Sequence, residues 1–205
     1  MIVKVCGMTD ATNIRQTIDV GADIIGMIFY PPSSRCIKAV PAIDDCIRRF
    51  GVFVNEDIAT VIATAETYRL TGVQLHGSET PEYLADLHRR LPEIVIAKAI
   101  SVADADDLQK ADLYASTAQL LVFDTKCNSY GGSGKKFHWQ LLDNYHGTLP
   151  FLLSGGISPS DAEAITTIHH PQMIGVDLNS QFETSPGMKD INKLKLFIHQ
   201  LKSKQ

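Results

Sequence analysis

Two residues of this 205-residue chain have the chemistry of a general base and a general acid. Cys6 ends a short apolar run near the N-terminus, and Asp124 ends another apolar run in the second half. A thiolate can remove a proton, and a protonated carboxyl group can supply one. Taken alone, Cys6 would more often be a small buried hydrophobe. Asp124 could simply cap a loop, although a charge directly after a buried run makes that alternative weak.

A glycine turn marks a candidate anion site. Residues 153–158, Leu-Ser-Gly-Gly-Ile-Ser, have the pattern of a strand, a tight turn and the start of a helix. Glycines let backbone N–H groups approach an anion, and the following helix N-terminus favours negative charge. Asn179 and Ser180 follow the next apolar run. These features predict a phosphate site made by Gly155, Gly156 and the Asn179-Ser180 segment, with a plain tight turn as the alternative.

Three further polar residues follow apolar runs. Arg35 comes after Tyr-Pro-Pro-Ser-Ser, and its planar guanidinium suits a ligand carboxylate. A solvated surface arginine is an equally good interpretation from spacing alone. Gln74 and His76 end another run, and both are predicted to contact substrate. His76 is either catalytic or a hydrogen-bonding wall residue.

The glycine-rich stretch 131–135 resembles a nucleotide-binding loop but fails its pattern. That motif needs glycine where Ser129 stands and serine or threonine where Lys136 stands. A glycine-rich loop of this length is better interpreted as a mobile flap that closes over substrate. Gly132 is accordingly predicted to contact substrate.

Short apolar runs alternate with amphipathic segments along the whole chain. Eight strands are predicted, at residues 2–6, 23–29, 51–54, 72–75, 94–100, 119–124, 150–153 and 174–178. With about eight intervening helices, this pattern predicts an α/β fold, a single (β/α)₈ TIM barrel over residues 1–205. An open doubly wound sheet is the alternative, but no G-x-G-x-x-G follows the first strand.

In such a barrel, the chemistry lies at the carboxyl ends of the strands. Cys6 and Asp124 would then face one another across the mouth. Because side chains alternate along a strand, Lys4 must point the same way as Cys6, into the barrel. Lys98 is expected to do the same, with Asp177 or Asp124 as anionic partners. A nearby cation is expected to lower the pKa of Cys6. The alternative for Lys4 is that it extends outward to solvent.

Composition excludes several classes of protein. The net charge is −4 and no basic cluster stands out, so no nucleic-acid partner is expected. No apolar run approaches the ~20 residues that cross a bilayer, so no membrane partner is expected. The four cysteines have no C-x-x-C spacing and the histidines no ligand spacing, so neither a metal site nor a disulfide framework is predicted. We expect a cytoplasmic protein.

The sequence also resembles a known family. Residues 4–9, Lys-Val-Cys-Gly-Met-Thr, are similar to the opening signature of the phosphoribosylanthranilate isomerases. The resemblance continues in order through residues 29–35, 51–55, 73–77, 123–124, 131–135, 154–157 and 175–177. It spans nearly the whole chain. The opening signature with a later Phe-Asp is specific, whereas the glycine turn is shared by many barrels.

The resemblance implies a cofactor-free isomerase of tryptophan biosynthesis that acts on a small molecule, phosphoribosyl anthranilate. It implies that Cys6 is the base, Asp124 the acid and Arg35 the ligand of the anthranilate carboxylate. It implies a phosphate site that comprises Gly155, Gly156, Asp177, Asn179 and Ser180. Three positions depart from the family, namely Ser34, His138 and the Asn179–Gln181 segment. A monomer is expected, with a homodimer as the alternative.

Other interpretations of the function remain open at this point. Related phosphosugar barrels use two carboxylates with two phosphate sites, or lysine and glutamate catalysts. A catalytically silent barrel that only binds phosphosugars is a different class again, and the presence of both Cys6 and Asp124 argues against it.

Overall fold

Eight parallel strands close a barrel in which every strand bonds to the next and the last bonds to the first. A computed structural model describes residues 1–39, 47–125 and 136–203. The strands are β1 (Ile2–Val5), β2 (Ile24–Ile28), β3 (Arg48–Phe53), β4 (Gly72–Leu75), β5 (Val95–Val102), β6 (Leu120–Thr125), β7 (Phe151–Leu153) and β8 (Met173–Leu178). The predicted TIM barrel is confirmed, with each strand close to its predicted position.

The largest differences in strand boundaries lie in β3 and β5. β3 begins at Arg48, three residues before the predicted start, because two arginines interrupt the apolar pattern there. β5 continues through Ser101 and Val102, two residues beyond its predicted end. The cap of the next helix is Asp104, whose side chain accepts a hydrogen bond from the backbone N–H of Asp107 at 3.2 Å.

Six α-helices surround the barrel in the part of the chain that is described, fewer than the eight predicted. They are α1 (Ala11–Asp19), α2 (Ile58–Thr67), α3 (Pro81–Arg90), α4 (Ala105–Gln109), α5 (Ala162–Thr166) and α6 (Ile191–Lys202). A 3₁₀ helix at Trp139–Asn144 connects β6 to β7 instead. Thr80 caps α3 directly before Pro81, because its side-chain oxygen accepts from the Tyr83 N–H at 3.3 Å. No helix among the described residues is both long and apolar enough to span a bilayer.

The barrel interior is apolar at the amino end of the strands. Phe50, Leu120 and Leu152 are among the side chains of this interior cluster, which Ala97 and Ala99 of β5 also join. Lys98 lies between those two alanines and therefore faces the helices, so its predicted inward orientation is wrong. Its ammonium lies 2.9 Å from the Glu79 carboxylate.

A short hairpin that was not predicted follows β8. β9 (Glu183–Ser185) and β10 (Met188–Lys189) pair antiparallel and lead into α6. Asn13 of α1 fixes the hairpin, because its side chain accepts from the Lys189 N–H at 2.7 Å and donates to the Lys189 carbonyl at 2.9 Å. The hairpin is thus attached to the barrel beside the mouth of the strands.

We predict that Leu194 and Leu196 of α6 differ sharply in their contribution to stability. Leu194 is fully buried, whereas Leu196 is 66% exposed. Leu194→Ala should lower the free energy of unfolding by about 2–5 kcal/mol, as buried leucines do. Leu196→Ala, the matched control, should change it by roughly 0.5 kcal/mol or less. Urea unfolding of both variants measures this, and equal losses would contradict the packing of α6.

Candidate active site

The carboxyl ends of the strands surround a cavity of about 710 Å³, part of which is open to solvent. Nine of the eleven residues predicted from sequence lie in its lining, namely Cys6, Gln74, His76, Asp124, Gly155, Gly156, Asp177, Asn179 and Ser180. Arg35 lies next to the cavity and is described below. Gly132 and the predicted flap lie outside the described residues. The predicted base and acid therefore share one cavity, at the ends of β1 and β6.

Cys6 is held at the end of β1 in a space that a glycine provides. Its backbone N–H donates to the carbonyl of Leu178 at 2.8 Å, and its side chain is buried. A Cβ atom on Gly26 of β2 would lie only 2.7 Å from the Cys6 sulfur. A glycine inside an apolar strand often marks such a close approach. Gly26 could therefore have indicated this close approach from the sequence, and the sequence analysis missed it.

A buried ion pair lies one layer below Cys6. The Lys4 ammonium is 2.8 Å from the Asp177 carboxylate, and the two side chains are 0% and 5% exposed. This confirms that Lys4 points into the barrel with Asp177 as its partner. Burial acts against the charged ammonium, but the negative charges of Asp177 and ionised Cys6 outweigh it and raise the pKa of Lys4. Lys4 is therefore a permanent cation beneath the thiol.

The pKa of Cys6 is nevertheless raised above its ordinary value, so the expected net lowering is wrong. Burial is the largest cause, because it disfavours the thiolate. Lys4 opposes the shift, Asp177 adds to it, and Lys189 also opposes it. Lys4 and Lys189 thus limit the increase in the pKa of Cys6, which burial alone would make larger.

A chain of close polar contacts leads to Asp124. Nε2 of Gln74 lies 3.2 Å from Nδ1 of His76, and Nε2 of His76 lies 3.3 Å from Oδ2 of Asp124. His76 is thus oriented from one side and contacts the predicted acid on the other. His76 was interpreted from the sequence as either a catalytic residue or a wall residue. Both interpretations fit this geometry, because His76 lines the cavity wall and also contacts Asp124, the predicted acid.

The glycine turn after β7 has the backbone shape that was predicted. Gly155 and Gly156 have φ angles of +87° and +64°, which favour glycine. Within the described part of the chain, the N–H groups of Gly155, Gly156 and Ser180 have no acceptor. The helix contribution is smaller than expected, because the Ser158 N–H already donates to Asp161 at 2.6 Å and α5 has only five residues.

Arg35 is paired with a residue that the sequence analysis missed. Its Nε donates to the two Glu183 carboxylate oxygens at 2.9 and 3.0 Å, and its Nη2 donates at 2.7 Å. Lys189 also pairs with Glu183, with its ammonium 2.7 Å from Oε1. Both missed residues belong to the unpredicted hairpin, and nothing in the local sequence ties them to a position about 150 residues earlier.

Metal binding finds no support in the described residues, where no three His, Cys, Asp or Glu side chains are grouped as a metal site. The polar groups of the cavity are instead a thiol, carboxyl groups, an imidazole, amides and free backbone N–H groups. This donor set suits proton transfer at a polar organic ligand.

A family model described as N-(5'-phosphoribosyl)anthranilate (PRA) isomerase matches residues 3–200. The N-(5'-phosphoribosyl)anthranilate isomerase of Parabacteroides distasonis is 44% identical, over 98% of this chain and 93% of the relative. That of Phocaeicola vulgatus is 43% identical, over 100% and 99%. The chain belongs to the phosphoribosylanthranilate isomerase family. It is therefore an isomerase of tryptophan biosynthesis.

Solved structures of phosphoribosylanthranilate isomerases have the same fold. The enzyme of Thermus thermophilus superposes with a TM-score of 0.87 and 28% identity, and the alignment covers 100% of both chains. A second isomerase structure, with a TM-score of 0.80 and 30% identity over 99% of this chain and 100% of its own, is described as a complex with reduced 1-(o-carboxyphenylamino)-1-deoxyribulose 5-phosphate. That ligand carries both a carboxylate and a phosphate.

We predict that Lys4 and Asp177 shift the ionisation of Cys6 in opposite directions. Lys4→Met removes a positive charge and should move the pKa of Cys6 higher. Asp177→Asn removes a negative charge and should move it lower, since Lys4 is then no longer balanced. The pH dependence of Cys6 alkylation, followed by mass spectrometry of its peptide, measures both. Shifts in the same direction would contradict the electrostatic roles assigned to the pair.

Proposed function

We propose that the chain converts N-(5-phosphoribosyl)anthranilate to 1-(2-carboxyphenylamino)-1-deoxyribulose 5-phosphate, with Cys6 as base and Asp124 as acid. The observation that carries this proposal is the placement of both residues in one cavity, at the ends of β1 and β6. A sugar ring in that cavity would present its ring oxygen and its C2 hydrogen to different walls. Family membership supports the reaction, and this geometry supports the choice of the two proton-transfer groups.

The proposed reaction begins at the ring oxygen. Asp124 gives its proton to that oxygen as the bond from C1 to oxygen breaks, and the aniline nitrogen's lone pair forms a C=N bond to C1. Cys6, as the thiolate, then removes the proton from C2. The electron pair of that C–H bond forms a C1–C2 double bond and neutralises the iminium nitrogen. The resulting enolamine tautomerises to the ketone, so the iminium itself serves as the electron sink.

Gln74 and His76 support the acid in this proposal. The terminal amide of Gln74 can present either its NH₂ group or its oxygen to Nδ1 of His76. With the amide oxygen facing Nδ1–H, Nε2 of neutral His76 accepts a hydrogen bond from protonated Asp124, which is the form an acid needs. With the NH₂ group facing Nδ1, Nε2–H donates to the Asp124 carboxylate that remains after the proton has left. The same residues thus serve both states.

The two ends of the substrate match two further parts of the site. The unpaired N–H groups of Gly155, Gly156 and Ser180 suit phosphate oxygens. Two buried side-chain acceptors in the lining have no partner among the described residues, namely Oδ1 of Asp177 and, when its NH₂ group faces His76, Oε1 of Gln74. Buried polar atoms rarely lack a partner, so the hydroxyl groups of a sugar would satisfy them.

The other phosphosugar barrels fit this cavity less well. They require two carboxylates with a second phosphate site, or lysine and glutamate catalysts. The lysines near the cavity are instead committed to ion pairs, Lys4 with Asp177 and Lys189 with Glu183. A silent phosphosugar-binding barrel would have no use for a thiol that is buried beside two cations.

We predict that Cys6→Ser lowers kcat by about 10²–10⁴-fold, the usual loss of a general base. A serine hydroxyl is far too weakly acidic to replace the thiol. Substrate fluorescence measures turnover, and circular dichroism checks the fold. Cys36→Ser is the matched control, because Cys36 lies outside the cavity lining. Retention of more than about a tenth of the wild-type kcat by Cys6→Ser would exclude Cys6 as the base.

We also predict that Arg35→Ala weakens binding of anthranilate-bearing ligands but leaves the affinity for ribose 5-phosphate unchanged. Arg35 lies on the loop after β2, whereas the glycine turn lies after β7. Calorimetric titration of both ligands decides the question. Equal losses of affinity for the two would place Arg35 outside the carboxylate site.

A further inference from the structure

Arg35 is one member of a bonded cluster that reaches from the loop after β2 to the β9–β10 hairpin. The cluster consists of Arg35, Glu183 and Lys189, with Asn179 at its edge. The Lys189 ammonium donates to Glu183 at 2.7 Å and to the Asn179 side-chain oxygen at 2.8 Å. Since Asn179 lines the cavity, the cluster adjoins the substrate site.

Glu183 is fixed in place from several sides. Its carboxylate also accepts the backbone N–H of Gly187 at 3.1 Å, and its side chain is only 5% exposed. Burial acts to raise the pKa of Glu183, but the bonds from Arg35 and Lys189 outweigh it and lower the pKa below the ordinary value. The carboxylate is therefore ionised and is not free to swing away from Arg35.

The contact leaves one edge of the guanidinium unused. Arg35 bonds Glu183 through Nε and Nη2, and among the described residues its Nη1 makes no hydrogen bond. A guanidinium can bind two carboxylates through two different edges, because its N–H groups form a rigid planar fork. The edge formed by Nη1 and Nη2 thus remains for a ligand.

The Arg35 side chain crosses the backbone next to the predicted base. A Cβ atom on Gly7 would lie 2.7 Å from Cδ of Arg35 and 2.8 Å from the side-chain oxygen of Asn179. Gly7 therefore provides the space in which the arginine passes from its loop toward the hairpin. This route brings the arginine beside the residue that follows Cys6 in the chain.

The charges of the cluster favour one additional anion. Arg35 and Lys189 contribute two positive charges, and Glu183 contributes one negative charge. Glu183 lies between the two cations and lets them share a small volume, while one positive charge remains unbalanced. While Cys6 is a neutral thiol, that remainder matches a single ligand carboxylate, and the Cys6 thiolate, which Lys189 favours, would take up part of it.

We propose that Glu183 is a positioning residue that sets the specificity of this site for ligands with an aryl carboxylate. It holds the guanidinium of Arg35 through one edge so that the other edge meets the carboxylate, and Lys189 holds Glu183. The inference rests on the proposed function, in which Arg35 binds the anthranilate carboxylate. It assigns Glu183 no contact with the reacting atoms.

The test compares two ligands in Glu183→Gln, measured by calorimetry. One is reduced 1-(o-carboxyphenylamino)-1-deoxyribulose 5-phosphate, and the other is the same compound without the carboxyl group. Glu183→Gln should weaken the first by about tenfold, the order expected when charge-assisted hydrogen bonds are lost. The affinity for the second should stay within about twofold. In turnover, KM should rise while kcat changes little, because the acid and base are untouched.

A double-mutant cycle tests whether Glu183 acts through Arg35. Adding Glu183→Gln to Arg35→Ala should cause no further loss of affinity for the carboxylated ligand, because the two residues form one unit. Glu66→Gln on α2 is the matched control, since Glu66 is exposed and does not line the cavity. Thermal unfolding confirms that each variant is folded. If Glu183→Gln does not fold, Glu183→Asp keeps the charge but shortens its reach, and the same ligand selectivity is expected.

Three results would overturn the proposal. Tighter binding of the carboxylated ligand to Glu183→Gln would show that Glu183 competes with the ligand for Arg35. Equal weakening of both ligands would show a general structural role. A selective loss in Arg35→Ala with none in Glu183→Gln would reject the role of Glu183 and leave the proposed function standing. If Arg35→Ala itself shows no selectivity, the carboxylate assignment of Arg35 fails as well.

Discussion

The buried pair of Lys4 and Asp177 is the interaction around which the site is organised. A charge inside a barrel must be paired. Replacing such an ion pair with apolar residues often leaves the stability of the protein unchanged or increases it, so stability alone does not explain why the pair is present. What the pair provides is a fixed cation directly below Cys6. It also separates the interior into two zones. Toward the amino end the barrel is filled by apolar side chains such as Phe50 and Leu120, and above the pair inward side chains such as Cys6, Gln74 and Asp124 line the cavity.

Because of that division, several polar groups in the cavity have no hydrogen-bond partner before a ligand binds. Oε1 of Gln74 and Oδ1 of Asp177 are buried without partners, and the N–H groups of Gly155, Gly156 and Ser180 have no acceptors in the described chain. Keeping such groups unsatisfied requires a rigid scaffold, which the closed ring of strands supplies. A ligand that pairs with them removes a desolvation penalty and does not have to reorganise the protein. Electrostatic preorganisation of this kind is the usual source of enzymatic rate enhancement.

Features that depend on one strand and its neighbours could be predicted from sequence, and features that depend on distant contacts could not. The eight apolar runs were enough to predict the barrel. The alternation of side chains along β1 correctly predicted that Lys4 points into the barrel, where it pairs with Asp177. The predicted orientation of Lys98 was wrong because its strand is buried on both faces. The apolar pattern of such a strand does not show which side chains face the barrel interior. The net pKa direction of Cys6 was wrong because burial, which outweighs the nearby cation, is a tertiary property. The hairpin was missed because its strands are only three and two residues long.

The hairpin also has a consequence for how substrate range can change. Proton transfer is assigned to the ends of barrel strands, whereas the Arg35 cluster is built from a loop and an appended two-stranded ribbon. The two modules can therefore be altered separately, and a barrel with the same acid and base can be adapted to other aglycones. Such an exchange has to keep Glu183 together with Arg35 and Lys189, because removing Glu183 leaves the buried Lys189 ammonium without its counterion. Substitutions along an evolutionary or engineered path would consequently come in matched sets, joining positions that are far apart in the chain.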